Sequence, residues 1–148
     1  MHKVLLDVNV VVDFLDEQRS RHHDAVTLLE YFVKNSYEVC LSEDMLSTIY
    51  YVMKDKRRTL EFFREIVFKK WQVFAFGKAV CEEAAMLSMA ENIDFEDLLQ
   101  CLCAKANRCE LVLTSDKGFV ACGMEVMSID QFFSDVTLTE QKVDVKRD

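Results

Sequence analysis

Short apolar runs alternate with longer stretches of helical periodicity along nearly the whole chain, and this alternation limits the fold more than any other feature. Val4-Leu5-Leu6 is uninterrupted apolar sequence, as in a strand buried on both faces. Val39-Cys40-Leu41, Val73 to Phe76, Leu111-Val112-Leu113, and Met124 to Met127 repeat the signal; Glu125 marks the last as nearer an edge. Between them lie helical patterns. Leu15 closes a short one, and Ala25, Val26, Leu29, Phe32 and Val33 form the next. Met45, Ile49, Val52 and Met53 follow, with Ser42 placed to cap, and then Leu60, Phe63 and Val67. Val80, Ala84 and Leu87 precede Leu98, Leu102 and Ala106. Ser128 and Gln131 are spaced as a capping box for a short final helix. Strands alternating with helices predict an α/β domain: a central parallel sheet of about five short strands with helices on both faces. The absence of proline and the presence of only three glycines fit short connections without a linker. The expected domain spans residues 1–135, and 136–148, where the patterning fades, reads as a C-terminal tail.

A chain that is 51% apolar and 30% charged can bury a core, which excludes a disordered or collagen-like protein. No apolar window is long enough to cross a bilayer. The apolar start is broken by Asp7 and no cleavage site follows, so a cytoplasmic protein is expected. Its six cysteines lack any C-x-x-C spacing and read as small unpaired hydrophobes in a reducing compartment. With 18 basic and 26 acidic residues the net charge is −8, so binding nucleic acid by bulk charge is excluded. Local basic patches or a bound cation would be needed.

In parallel sheets ligands sit beyond the carboxyl ends of the strands. Here those positions are acidic. Asp7 ends the first strand and Asp116 follows the fourth, while Asp97 opens the helix that leads into the fourth. Singly, Asp116 and Asp94 also read as turn or cap residues, and Asp97 and Glu96 as acids complementing a helix N-terminus. Asp7 has no obvious cap to make. Two carboxylates about 4 Å apart repel by about 4 kcal/mol at an effective dielectric near 20. Convergence of three therefore calls for a proton or a cation. Oxygen donors without His or Cys suit Mg²⁺ or Mn²⁺ over zinc, and such a pocket suits phosphodiester chemistry.

The segment from Val4 to Leu15, with Asp7-Val8-Asn9 at the strand end, resembles the opening of PIN domains. Asp94-Phe95-Glu96-Asp97 is similar to the D-F-E-D segment of one bacterial branch of that family, and Thr114-Ser115-Asp116 to its closing T-x-D. The resemblance implies a Mg²⁺- or Mn²⁺-dependent endoribonuclease, the toxin of a toxin–antitoxin pair, with RNA as substrate, an antitoxin protein as partner and a homodimer as its assembly. It implies Asp7, Asp97 and Asp116 as catalytic metal ligands, with Asn9 and Thr114 as polar supports. Where many PIN domains carry another acid, this chain has Thr48; Glu43 or Asp44, one turn earlier, and Glu96 are the candidate extra acids. The alternative is a weak or inactive PIN-fold module that binds RNA or a protein. A phosphorelay receiver fits poorly, because no acid directly follows Val39-Cys40-Leu41.

Between residues 54 and 70 the basic residues Lys54, Lys56, Arg57, Arg58, Arg64, Lys69 and Lys70 outnumber Asp55, Glu61 and Glu65. A solvated helix junction is one reading. The other is RNA steering by Lys54, Lys56, Arg57 and Arg58, with Lys117 adding a contact beside Asp116. His22 and His23 fit no ligand motif. Tyr31, Phe32, Tyr50, Tyr51, Phe62 and Phe63 exceed what one core face can take, which suggests a dimer face or a partner groove.

Overall fold

The computed structural model describes residues 2–120 and 122–147. Strands β1 (Lys3–Leu6), β2 (Glu38–Ser42), β3 (Gln72–Phe74), β4 (Leu111–Leu113) and β5 (Glu125–Met127) form one sheet in the order β3-β2-β1-β4-β5. Every pairing is parallel, and Leu5 is in register with both Cys40 and Val112. The central strand is the most apolar one: Val4, Leu5 and Leu6 are fully buried. A strand covered on both faces has no solvent side on which a polar residue could alternate.

Helices α1 (Val8–Leu15) and α2 (His22–Lys34) connect β1 to β2. Helices α3 (Glu43–Val52), α4 (Lys56–Phe62) and α5 (Phe68–Lys70) connect β2 to β3. The chain then returns across the sheet through α6 (Gly77–Glu91) and α7 (Phe95–Ala106) to reach β4 on the other side of β1. Right-handed crossovers in opposite directions put these two helix groups on opposite faces. The direction of winding reverses at β1, so the crevice between the carboxyl ends of β1 and β4 is the topological switch point. A second small core, built on Ala84, Leu98 and Leu102, joins α6 to α7.

Several expectations need correction. The last helix, α8 (Ile129–Arg147), is long, so the backbone expected to lose pattern after Val136 is helical. Its capping box forms as expected: Ser128 N–H donates to Gln131 Oε1 (2.9 Å) and Gln131 N–H to Ser128 Oγ (3.1 Å). Phe132 then anchors the helix against Tyr31, Phe32 and Tyr37. Val33 is 83% exposed, because the buried stripe of α2 is Ala25, Leu28, Leu29 and Phe32 and the next residue rotates away. Leu60 is also exposed; a π-helical turn at Phe63–Val67 shifts the inward face to Phe62, Phe63 and Val67. Ser42 occupies the N-cap position of α3 without a side-chain cap bond, and its hydroxyl is buried without a partner among the described residues.

The cysteines are not all unpaired. Cys101 and Cys122 form a disulfide with Cα atoms 5.9 Å apart. The segment after β4 folds back along α7 and brings Cys122 to a residue distant in sequence, which local spacing does not reveal. Cys40, Cys103 and Cys109 are buried thiols, and Cys81 is half-buried.

Candidate active site

The site is built from the polar residues that end β1 and β4. Asp7 leaves β1 with its N–H still on the ladder, donating to Leu113 O at 2.9 Å. Its extended backbone makes it the N-cap of α1, and Oδ1 accepts from Val8 N–H at 2.9 Å. The cap that the sequence did not make obvious is therefore present. Oδ2 accepts the Thr114 hydroxyl at 2.7 Å and Asn9 Nδ2 at 3.3 Å. Thr114, itself buried, accepts from Asp116 N–H at 3.0 Å. Asn9 reaches across from α1, its Oδ1 accepting from Ser115 N–H at 3.1 Å. Asp7, Asn9, Thr114 and the backbone of Asp116 thus form one hydrogen-bonded unit across the switch point.

Asp116 is exposed on the segment beyond β4, where Oδ1 accepts from Gly118 N–H at 2.9 Å. Its turn role is real. It does not exclude a second one, since each carboxylate oxygen has more than one acceptor site. On the opposite wall, Asp94 caps α7 by accepting from Asp97 N–H at 2.9 Å. That cap sets Glu96 and Asp97 in the first turn.

The electrostatics connect the two walls. Burial, then the charges of Asp94, Asp116 and Asp7, push the Asp97 carboxyl above its ordinary pKa, against the stabilising N–H of Val120. Burial, then Asp44, Asp94 and Asp7, push Glu96 up in the same sense. Among the acids acting on Glu96 is Asp44 and not Glu43, although both stand in the first turn of α3. Thr48 turns its hydroxyl back to the Asp44 carbonyl at 3.4 Å.

These donors are all oxygens, which suits a hard divalent cation in kind. Among the described residues, however, no three His, Cys, Asp or Glu side chains already surround one point as a metal cage. The arrangement concentrates negative charge without presenting a finished coordination sphere.

The basic residues divide. The Lys56 ammonium bonds the carbonyls of Tyr50, Tyr51 and Met53 (2.6 Å to Met53) and lies 4.9 Å from the centre of the Tyr50 ring. It closes the C-terminus of α3, where carbonyls are left over and the helix dipole favours a cation. Lys56 thus has a structural role at this helix end. Arg57 pairs with Glu61 at 3.1 Å and Arg58 with Glu17 at 3.7 Å, both on the surface. Lys54 and Lys117 are exposed. His22 bonds the Asp13 carbonyl at 3.0 Å, away from the acids named above.

Sequence reasoning missed Gln100. It is 3% exposed on α7, one turn beyond Glu96 and Asp97, and its Oε1 has no partner among the described residues. The available signal was an amide in an otherwise apolar stripe of Leu98, Cys101 and Leu102.

The PIN domain family model matches residues 4–123. The chain is 35% identical over 134 residues to Ribonuclease VapC1 of Aquifex aeolicus (strain VF5), covering 88% of this chain and 92% of that relative. VapBC2 from Rickettsia felis, solved bound to a DNA fragment from the promoter, superposes with a TM-score of 0.65 at 17% identity, over 85% of this chain and 98% of that one. VapC20 of Mycobacterium tuberculosis, described as a toxin cleaving the Sarcin-Ricin loop, gives 0.66 at 16% identity, over 82% and 95%. At such identities these structures speak to the fold alone.

Proposed function

The chain belongs to the PIN domain family, and from that premise we propose that it is an endoribonuclease, the toxin of a toxin–antitoxin pair, working with Mg²⁺ or Mn²⁺ held by Asp7, Asp97 and Asp116. The observation that carries this reading is the hydrogen-bonded unit of Asp7, Asn9, Thr114 and the Asp116 backbone at the switch point, beside which burial, then neighbouring acids, raises the Asp97 and Glu96 carboxyls. Asp7, Asp97 and Asp116 would hold a divalent cation there, which would offset the repulsion between the acids and supply Lewis acidity toward a phosphodiester oxygen and an attacking water. Thr114 and Asn9 hold the Asp7 carboxylate in one orientation. Asp116, exposed at the rim, is accessible to substrate. Lys54, Arg57, Arg58 and Lys117 steer phosphate toward a protein whose net charge repels it.

An RNA-cutting toxin acts in the cytoplasm, where its substrate is; among the described residues no helix is long and apolar enough to cross a membrane. An antitoxin is its protein partner, as in a toxin–antitoxin complex that shares the fold. Exposed apolar side chains such as Tyr51 and Met89 support contact with that partner or a second copy of the chain.

The test is cleavage of single-stranded RNA by the purified protein with Mn²⁺, with Mg²⁺ and with chelator. Cleavage is expected only with the metals, and Asp7→Asn should lower it by about a hundredfold or more while the fold persists. Undiminished cutting by Asp7→Asn would refute the site. One feature favours a non-catalytic module, the Thr48 hydroxyl where another acid would stand. RNA binding without cleavage under every metal condition would establish that reading instead.

A further inference from the structure

The disulfide joins the two segments that carry the proposed acids from opposite walls. Asp97 and Cys101 are four residues apart on α7 and so lie on the same side of the helix. Between β4 and β5, the described residues form neither helix nor strand. Asp116 and Val120 both stand on that segment, before Cys122. One turn further along α7, Cys122 N–H lies 2.8 Å from Cys101 Sγ, and the two sulfurs are bonded. Phe119 and Met124 pack against the main core. The covalent tie fastens the segment to α7 itself, one turn beyond Asp97.

We propose that Cys101 and Cys122 are a thiol–disulfide switch that sets how firmly the Asp116 segment is held against Asp97, and through it how well the site binds its cation. This rests on the reading of Asp97 and Asp116 as cation ligands. In the reduced chain the segment opens from α7, and Asp97 and Asp116 lose their fixed separation. In the oxidised chain both are held in place before the cation arrives.

The oxidant is a low-molecular-weight disulfide. Cys122 is half-buried and Cys101 fully buried, so Cys122 is the entry point. Its thiolate attacks one sulfur of the disulfide, breaking that S–S bond and releasing one small thiol after protonation. The Cys101 thiolate then attacks Cys122 Sγ in the mixed disulfide and expels the second small thiol. Two protein thiols and one disulfide become one protein disulfide and two thiols, so atoms and electrons balance. Cys40, Cys103 and Cys109 are buried and remain outside this exchange.

The experiment uses the full chain, reduced with a phosphine and then exchanged into oxidised or reduced glutathione. Differential alkylation and peptide mapping should show Cys101 linked to Cys122 only after the oxidised treatment. Amide exchange of the metal-free protein should be about tenfold slower around Val120 in the oxidised form, and calorimetric Mn²⁺ affinity should be several-fold tighter. Cys122→Ser should match the reduced parent under both treatments, with Cys101→Ala as the second variant. Failure of the pair to form, or equal exchange in the two forms, overturns the switch. Slower exchange with equal Mn²⁺ affinity overturns its link to the cation. If exchange and affinity both change but neither form cuts RNA, the switch stands and the nuclease reading fails.

Discussion

The Thr114 hydroxyl is the hinge of the hydrogen-bonded unit, and Thr114→Val removes it while keeping the shape of the side chain. Three bonds are lost: the 2.7 Å donation to Asp7 Oδ2 and the acceptances from Asp116 N–H at 3.0 Å and from Asn9 Nδ2 at 3.4 Å. A hydrogen bond to a charged group contributes about 1.5–3 kcal/mol. Asp7 is only half-buried, so water can replace part of the loss, and about 2 kcal/mol is the expected destabilisation. For a domain near this size that corresponds to a fall in Tm of about 4–8 °C. The assay is thermal unfolding in chelator, so that cation binding does not enter. Thr114→Ser retains the hydroxyl and loses one buried methyl, a cost of about 1 kcal/mol. In an Asp7→Asn background the effect of Thr114→Val should shrink, because the charged acceptor is gone. A valine variant within about 0.5 kcal/mol of the parent, or a serine variant as unstable as the valine one, would refute this account of the site.

Replacing Lys54, Arg57 and Arg58 together with Ala should weaken RNA binding and reduce the steepness of its salt dependence, because fewer counterions are released; an unchanged slope would assign them to the solvated surface. Lys56→Met should instead lower stability by removing the ammonium that closes α3, with the salt slope of RNA binding unchanged. The raised carboxyls predict a pH effect in metal-free protein. Folded Asp97 and Glu96 bind their protons more tightly than the unfolded chain does, so their contribution is most favourable below the unfolded carboxyl values and is lost as pH rises through the folded ones. Relative to an Asp97→Asn, Glu96→Gln variant, the parent should therefore lose stability across that window in pH-dependent urea unfolding, and a constant difference would contradict the electrostatic argument.

The strands were legible because a doubly covered parallel strand must be apolar on both faces, and β1 and β4 carry no polar residue in their cores. Helix faces were less legible. Val33 and Leu60 have the right chemistry for the core, but an additional residue in the π-helical turn and the narrow stripe of α2 decide orientation, and neither is visible in a periodicity of apolar residues. The disulfide was hidden for a related reason. Pairing of Cys101 with Cys122 depends on where an irregular segment runs after β4, and no local spacing rule specifies that path.

The site divides along the same line. Asp7, Asn9, Thr114 and Asp116 adjoin strand ends, so parallel topology alone brings them together at the switch point. The remaining acid depends on the rotation of α3. The Thr48 hydroxyl is turned to the backbone of its own helix, and the charge from α3 that acts on Glu96 comes from Asp44. A helix turn advances about 5.4 Å, so an acid one turn earlier addresses a different part of the crevice. Asp44 and Glu96 consequently extend the negative field toward α3, while Asp7, Asp97 and Asp116 concentrate it at the switch point. A single cation is best compensated at the second location. Asp97 and Glu96 both hold their protons more tightly than usual, so on the proposed reading one ion is expected among Asp7, Asp97 and Asp116, and any second, beside Asp44 and Glu96, is expected to depend on the charge that an RNA phosphate brings.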